Sequence, residues 1–364
     1  MRLSPNTRRN LKRILPFGCF WLVFGLVYAM LEKGLLGDLR YYPSTGNPYN
    51  FWNSIVLFIM ILLVTGLMVG TFEVLYLSKL FIKKNLVQKI VFKALIYLVI
   101  IIAFLFFSGA ITNAYEMQRS IFDPLILDST VKFFSSFAFL SIVFYMAVTI
   151  LISLFYSEVS DNLGQEVLMK FLTGKYHRPI QEQRIFMFLD MNFSTTIAEK
   201  IGHIRYFELL REYYADLSGP VILASGEIYQ YVGDEMIVTW ELKNGLLDKN
   251  CLKCFFLMKE AMEKQSAKFN EEFGVIPTFK AGIHCGTVTS GEIGEIKKNI
   301  IYTGDVLNTT SRIQGLCNSL AVDLLISDDL LVKLENTGPY NITSKGKQQL
   351  RGRDEEVVLY AVTE

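Results

Sequence analysis

Four apolar, charge-free runs in the first half of the chain constrain its fold most: Ile14 to Leu31, Asn53 to Thr71, Ala94 to Tyr115 and Phe133 to Tyr156. Each is near the roughly 20 residues that a helix needs to cross the hydrocarbon of a bilayer. Backbone N–H and C=O groups have no water partner there, so each run is expected to pair them internally as a membrane helix. A hydrophobic fraction of 51% and a mean hydropathy of +0.33 agree with a chain partly immersed in lipid. The first run ends Met30-Leu31-Glu32 without a small-residue cleavage site, and further runs follow it, so it reads as a span and not a leader.

Basic residues set the expected orientation. Arg2, Arg8, Arg9, Lys12 and Arg13 precede the first run, and Lys79, Lys83, Lys84 and Lys89 lie between the second and third. Segments rich in Lys and Arg stay cytoplasmic, whereas the loops around Tyr41 to Phe51 and Glu116 to Asp128 are poor in them. Four crossings then leave the C-terminus inside, at the cell (inner) membrane. No run carries a charge near its centre, and Glu73 falls toward the cytoplasmic end of the second, so no ion or proton pathway is indicated. Anchoring, dimerisation or sensing remain as roles.

The rest of the composition narrows the partners. Lys+Arg 36 against Asp+Glu 35 gives a net charge of +1, which argues against nucleic acid. Five cysteines, Cys19, Cys251, Cys254, Cys285 and Cys317, make no disulfide framework, and the C-x-x-C at Cys251 has no second pair to complete a zinc site. From Glu158 to Lys175, Val159, Leu163, Val167, Leu168, Phe171 and Leu172 recur at helical spacing, as on a stripe continuing out of the fourth span. The stripe fits packing on its own domain or a short parallel coil between two copies. The expected organisation is a membrane domain over 1–157, a helical connector over 158–183 and a catalytic domain over 184–364.

Chemistry concentrates in that last part. Arg184 to Met191 reads as a buried strand ending in a lone carboxylate, Asp190. A turn through Asn192, Phe193, Ser194 and Thr195 follows, then a helix whose start is signalled by Thr196 with Glu199 three residues on. Strand, turn and helix N-terminus aim N–H groups at one spot, which suits phosphate, although an Asp before a helix is also an ordinary cap. In Glu227 to Trp240, two β-rich runs flank Val232-Gly233-Asp234-Glu235, a hairpin signature in which Asp234 can equally be a turn former. Carboxylates at the ends of adjacent strands could hold Mg²⁺ together with substrate phosphates. Further on, Asn308 and Arg312 are four apart on one helix face, suited to a ribose and a phosphoryl group or to a solvated surface.

Four segments in this order, F-L-D-M-N-F-S-T, Y-V-G-D-E-M, G-I-H-C-G-T-V-T-S-G-E-I-G and G-D-V-L-N-T-T-S-R, resemble the class III adenylyl and guanylyl cyclase catalytic domain from about Arg184 onward. The resemblance implies an α+β, ferredoxin-like βαββαβ fold and a homodimer with two shared active sites. By position it implies Asp190 and Asp234 as ligands of two Mg²⁺ or Mn²⁺ ions per site, with the Met191 carbonyl as a further ligand. It implies Asn308 at the ribose, Arg312 at the transition state, and Arg351 or Arg353 in place of a phosphate-binding lysine. The base positions depart from the pattern. Gln230 stands where adenylyl cyclases place Lys, and Ile301 where they place Asp or Thr, so ATP is expected with GTP and pyrimidine triphosphates as alternatives. A non-catalytic cyclase-like module and a diguanylate cyclase are the rivals; the first would erode these positions, the second would read G-G-[DE]-E-F at the hairpin. His177, His203 and His284 are expected in structural or surface roles.

Overall fold

The computed structural model describes residues 4–41, 50–81, 84–352 and 356–364. It divides into two compact units, one built on Thr7–Met169 and the other on Lys170–Glu364.

In the first unit, α1 (Pro5–Leu36), α2 (Phe51–Phe72), α4 (Leu86–Glu116) and α6 (Phe137–Leu163) supply four helices long and apolar enough to cross a membrane. α2 runs through a π-helical turn, Glu73–Leu77, into the short α3 (Ser78–Leu80). The start of α4 is set by Asn85, whose side chain accepts the Gln88 N–H at 2.9 Å. The fourth span begins later than expected. Phe133 and Phe134 end a separate helix, α5 (Pro124–Phe134), and Ser136 then caps α6 by accepting from the Phe139 N–H at 3.2 Å.

Ion pairs gather the basic ends of this unit. Arg13 pairs with Asp161, and Lys12 Nζ lies 3.1 Å from Glu166, so the N-terminal part of α1 meets the end of α6 and the residues just after it. Lys93 Nζ sits 2.5 Å from Glu73 Oε1 and 2.7 Å from Glu158 Oε1, while Lys89 reaches Glu158 Oε2 at 3.6 Å and Tyr97 donates to Glu73 Oε2 at 3.0 Å. Glu73 and Lys93 are each 1% exposed. The sequence showed Glu73 only as an isolated charge at a span's end; tertiary structure makes it one corner of a closed cluster of two carboxylates and two ammonium groups. Removing one partner of a buried ion pair strands the other without compensation, at about 3–5 kcal/mol. Lys93→Met should therefore lower the thermal midpoint of the membrane unit in detergent micelles, and Glu73→Gln with Glu158→Gln should recover part of the loss. An unchanged midpoint in Lys93→Met would show that the cluster is hydrated and contributes little.

The connector is not one helix. α6 ends at Gly164, which has φ +86, and α7 (Gln165–Leu172) restarts beyond it. Leu163 and Leu172 of the expected stripe are exposed.

The second unit is an eight-stranded sheet in the order β2-β3-β1-β4-β6-β8-β7, with β5 paired to β4. Its strands are β1 (Ile180–Met191), β2 (Glu227–Val232), β3 (Glu235–Glu241), β4 (Phe279–Ile293), β5 (Asn299–Thr303), β6 (Leu324–Ser327), β7 (Asn341–Gln349) and β8 (Glu356–Thr363). Two helices, α8 (Ser194–Ile201) and α9 (His203–Leu223), link β1 to β2. The short α10 (Leu242–Leu246) and the long α11 (Asn250–Phe273) link β3 to β4. The order β4-β1-β3-β2, antiparallel throughout, is the ferredoxin-like βαββαβ core. α12 (Asp305–Gly315) follows β5, and α13 (Asp328–Lys333) follows β6.

β1 is buried on both faces, which is why its sequence is a continuous apolar run without alternation. Ile185, Met187, Leu189 and Met191 pack with Leu209, Tyr213 and Leu217 of α9 and with Phe255 and Met258 of α11. Phe186 and Phe188 face the other way, toward Tyr302 and Val306. The strand also starts four residues before Arg184, because that fully buried guanidinium is satisfied inside the sheet. It lies 3.2 Å from Glu227, 3.3 Å from Glu182 and 3.0 Å from Thr239 Oγ1, and 4.8 Å above the Tyr302 ring.

α12 sits directly on β4. A Cβ added at Gly282 would come 2.4 Å from the Gln314 backbone nitrogen, so only glycine permits the approach. Gly282→Ala should destabilise the unit by about 1–3 kcal/mol through overpacking. Gly219→Ala in α9, where an added Cβ meets nothing within 4 Å, should be neutral or stabilising by up to about 1 kcal/mol. Denaturant midpoints of the two variants check this; equal midpoints would show that α12 lifts away without cost.

Candidate active site

Strand pairing brings the two aspartates together. β1 and β3 are antiparallel with Asp190 opposite Glu235, and the β2–β3 turn places Asp234 one residue before that position. Gly233 takes φ +63 in this turn, and Tyr214 of α9 fastens it by donating to the Gly233 carbonyl at 2.9 Å. Asp190 and Asp234 are close enough to share a hydrogen bond. Burial and the Asp234 charge hold the Asp190 carboxyl above the usual range, although Lys280 opposes the shift. Burial followed by the charges of both aspartates pushes Glu235 up to about 7.

Two residues not singled out in the sequence complete this corner. Lys280, opposite Asp190 on β4, places Nζ 3.3 Å from Asp190 Oδ2, and Gln314 of α12 donates Nε2 to the same oxygen at 3.2 Å. Lys280 was detectable as a lone cation in an apolar strand. Gln314 was not, because its partner is 124 positions away.

The turn after β1 differs from expectation. Asn192 is held by its N–H to the Thr278 carbonyl at 2.8 Å and by its side chain to Thr278 Oγ1 at 3.1 Å. Phe193, 80% exposed, takes the left-handed φ of +56, and α8 starts at Ser194 with no side-chain cap. The expected Thr196–Glu199 capping box therefore does not form; with Phe193 at the N-cap position, the pinned turn starts the helix three residues sooner. Ser194 and Thr195 form the first turn of α8, and Ser194 hydrogen-bonds Tyr206, whose hydroxyl is pushed up by burial and by the Asp234 charge.

Asn308 and Arg312 occupy α12, exposed and half-buried respectively. At about 100° per residue, Arg312 points roughly 160° and Asn308 roughly 120° away from Gln314, the residue that faces Asp190. One chain thus presents its aspartates and its Asn/Arg pair on different sides of the same helix. Arg351 lies in an exposed turn beside Arg312: a Cβ added at Gly352 would be 3.5 Å from Arg312 Nη2. Arg353 lies outside the described residues. Gln230 is exposed on β2 and Ile301 half-buried on β5, next to Tyr229 and Tyr302, whose rings meet at 4.9 Å. Met191 ends β1 with its side chain in the core. His284 pairs with Ser327 Oγ at 2.7 Å, and burial pushes the thiols of Cys251 and Cys254 up, as structural roles require.

Residues 177–364 match the model of the adenylate and guanylate cyclase catalytic domain. The chain belongs to this family. Adenylate cyclase 2 of Rhizobium meliloti (strain 1021) is 35% identical over 210 residues, covering 58% of this chain and 58% of that protein. The adenylate cyclase of Anabaena cylindrica is 28% identical over 189 residues, covering 48% of this chain and 36% of that protein. The chain thus spans little more than half the length of the first of these relatives and about a third of the second. A bacterial light-regulated adenylyl cyclase of known structure shares the fold, with a TM-score of 0.53 at 15% identity over 63% of this chain and 66% of that one.

Divalent metal is general to the family, and the donor set here fits it. Two carboxylates share a partly buried corner, and the two donors that reach Asp190 both serve one oxygen. Hard cations take oxygen ligands, commonly one or two carboxylates completed by substrate phosphates. A carboxylate held above its unfolded pKa makes the folded chain bind protons more tightly than the unfolded chain. Stability therefore falls as pH rises from the ordinary Glu value of 4.5 through the folded value near 7, and the cost is full above that. A cation relieves it. Mn²⁺ should raise the thermal midpoint of the cyclase domain more at pH 8 than at pH 5.5, and an Asp190→Asn, Asp234→Asn double variant should lose the difference. Equal shifts at both pH values would rule out the carboxylate pair as the ion's seat.

Proposed function

We propose that this protein is a membrane-anchored homodimeric nucleotidyl cyclase that converts a nucleoside triphosphate, ATP in the first place, to a 3′,5′-cyclic monophosphate and pyrophosphate. The observation that carries the reading is the joining of Asp190 and Asp234 by the β1–β3 register in a domain of the cyclase family. ATP is favoured because both curated relatives described above are named adenylate cyclases. The exposed amide of Gln230 and the apolar Ile301 keep GTP as the second reading, since neither matches an adenine-reading pair.

Asp190 and Asp234, with the Met191 carbonyl, would hold two Mg²⁺ or Mn²⁺ ions. Bound there, the metal supplies charge neutralisation for the phosphates and acidity for the ribose hydroxyl. Lys280, no longer required to neutralise Asp190, becomes available to the triphosphate. N–H groups at Ser194 and Thr195, beyond the exposed Phe193 ring, are positioned at a helix N-terminus suited to phosphate oxygens. Asn308 of the second chain orients the ribose, and its Arg312 braces the phosphoryl oxygens, with Arg351, in the turn beside Arg312, and Arg353 as further basic residues offered to phosphate. The O3′–Pα bond forms as the bond from Pα to the bridging oxygen breaks; pyrophosphate leaves and the 3′ proton passes to solvent. The helix geometry that turns Asn308 and Arg312 away from Asp190 supports sharing of sites between two chains. The exposed Leu163 and Leu172 support a paired connector.

The basic N-terminal segment, with Arg13 paired to Asp161, supports a topology in which the N-terminus and the cyclase domain share the cytoplasmic side of the cell membrane. Membranes bearing the protein should form one cyclic product from ATP, GTP, CTP or UTP with Mg²⁺ or Mn²⁺, identified by mass. Asp234→Ala should lower its rate on the order of 100-fold or more. Absence of any product, or an unchanged rate in the variant, would sink the assignment. Co-expressed Asp190→Ala and Arg312→Ala chains should show activity that neither shows alone, and failure of that rescue would argue against shared sites.

A further inference from the structure

Gln314 joins two halves of the chemistry that belong to different active sites. It lies on α12, the helix that carries Asn308 and Arg312, and it is 7% exposed. Its main chain is seated on Gly282, where even a methyl group would collide with the Gln314 nitrogen at 2.4 Å and Cα at 2.8 Å. Its side chain reaches Asp190 Oδ2 at 3.2 Å. The residue is thus fixed at both ends, by backbone to β4 and by amide to the end of β1, and no loop lies between the tether and Arg312 two positions earlier.

We propose that Gln314 is a positioning residue that couples the two active sites of the homodimer. Given the shared-site reading above, on which this inference rests, each chain offers Asp190 to one site and Asn308 with Arg312 to the other. A divalent ion taken up at Asp190 would fix that carboxylate while Oδ2 still accepts from Gln314. Reorientation of that carboxylate is passed to the amide, and the amide is carried by α12 at the point where its main chain is seated on Gly282. Occupancy of one site therefore adjusts the helix that serves the second. Filling the first site orders that helix and favours filling the second, so the coupling is positive. By reciprocity the second site acts on the first with the same free energy. Lys280 reaches the same Oδ2 from β4, and its own ion pair is with Asp190.

The test uses the full chain in detergent micelles and a substrate analogue that cannot cyclise, so that it is independent of turnover. Calorimetric titration with 3′-deoxy-ATP or 3′-deoxy-GTP in Mn²⁺ should give two sites per dimer with a Hill coefficient clearly above 1, about 1.4. Gln314→Met, close in length but without a donor, should bring it to 1 with two sites per dimer still filled. Gln314→Leu, also without a donor, should do the same if the Met variant folds poorly. A second readout leaves Gln314 intact. In a heterodimer with one working site, the Arg312→Ala chain supplies the aspartates, and its partner supplies α12. Asn at position 190 of that partner keeps an acceptor for Gln314, whereas Ala removes it, although both forfeit metal there. The Asp190→Asn heterodimer should turn over about fivefold faster than the Asp190→Ala heterodimer at similar KM. Hill coefficients that do not differ between wild type and both Gln314 variants, or equal rates in the two heterodimers, would overturn the coupling. Absence of cyclic product from the wild type, with the cooperative titration intact, would instead overturn the cyclase reading and leave the coupling standing.

Discussion

Repulsion between Asp190 and Asp234 is the constraint around which the cyclase domain is arranged. Two carboxylates in one partly buried corner disfavour full ionisation, and the shifts at Asp190 and Glu235 express that. Nothing about either residue alone requires the arrangement; a turn or a helix cap would accept each. It exists because β1 is clamped between β3 and β4, so that the residue ending one strand lands beside the turn that starts the next. The scaffold that holds like charges together is what makes the corner useful to a cation.

That scaffold depends on burying β1 from both sides. Ile185, Met187 and Leu189 anchor it to the α9 and α11 layer, and Phe186 and Phe188 to the side where α12 and β5 lie. Full burial of such side chains contributes about 1.5–3 kcal/mol each, which resists the relaxation that would let the aspartates part. Arg184 sits in the same strand, and its buried charge would be left uncompensated without Glu182, Glu227 and Thr239 around it. β1 thus carries a compensated buried cation toward one end and, toward the other, a carboxylate held beside a second one. The first is structural, and the second is where chemistry is possible.

The membrane unit repeats the lesson in another solvent. Glu73, Lys93 and Glu158 come from three different helices, and each would be costly in a low-dielectric interior if left alone. Together with Lys89 and Tyr97 they neutralise one another and hold the exit end of α6 to the ends of α2 and α4. Gly164 then breaks the helix that the apolar stripe had suggested was continuous. An apolar stripe reports which face wants burial, but only the backbone dihedral of one glycine decides whether that face remains straight.

By itself the sequence determined the four spans, the buried β1 run, the β2–β3 hairpin and the candidacy of Asp190, Asp234, Asn308 and Arg312. Those signals are local: hydropathy over about 20 residues, the period of a strand, a Gly-Asp turn and a four-residue helical repeat. The tertiary structure decided what depends on pairs distant in sequence. It set the register that joins the aspartates, the Lys280 and Gln314 contacts on Asp190 Oδ2, the triad at Lys93 and the early start of α8. The reason is physical. A hydrogen bond or ion pair between residues 90 or 124 positions apart has no local periodicity to announce it, and it comes into being only when sheet and helix packing have brought the partners within about 3 Å of each other.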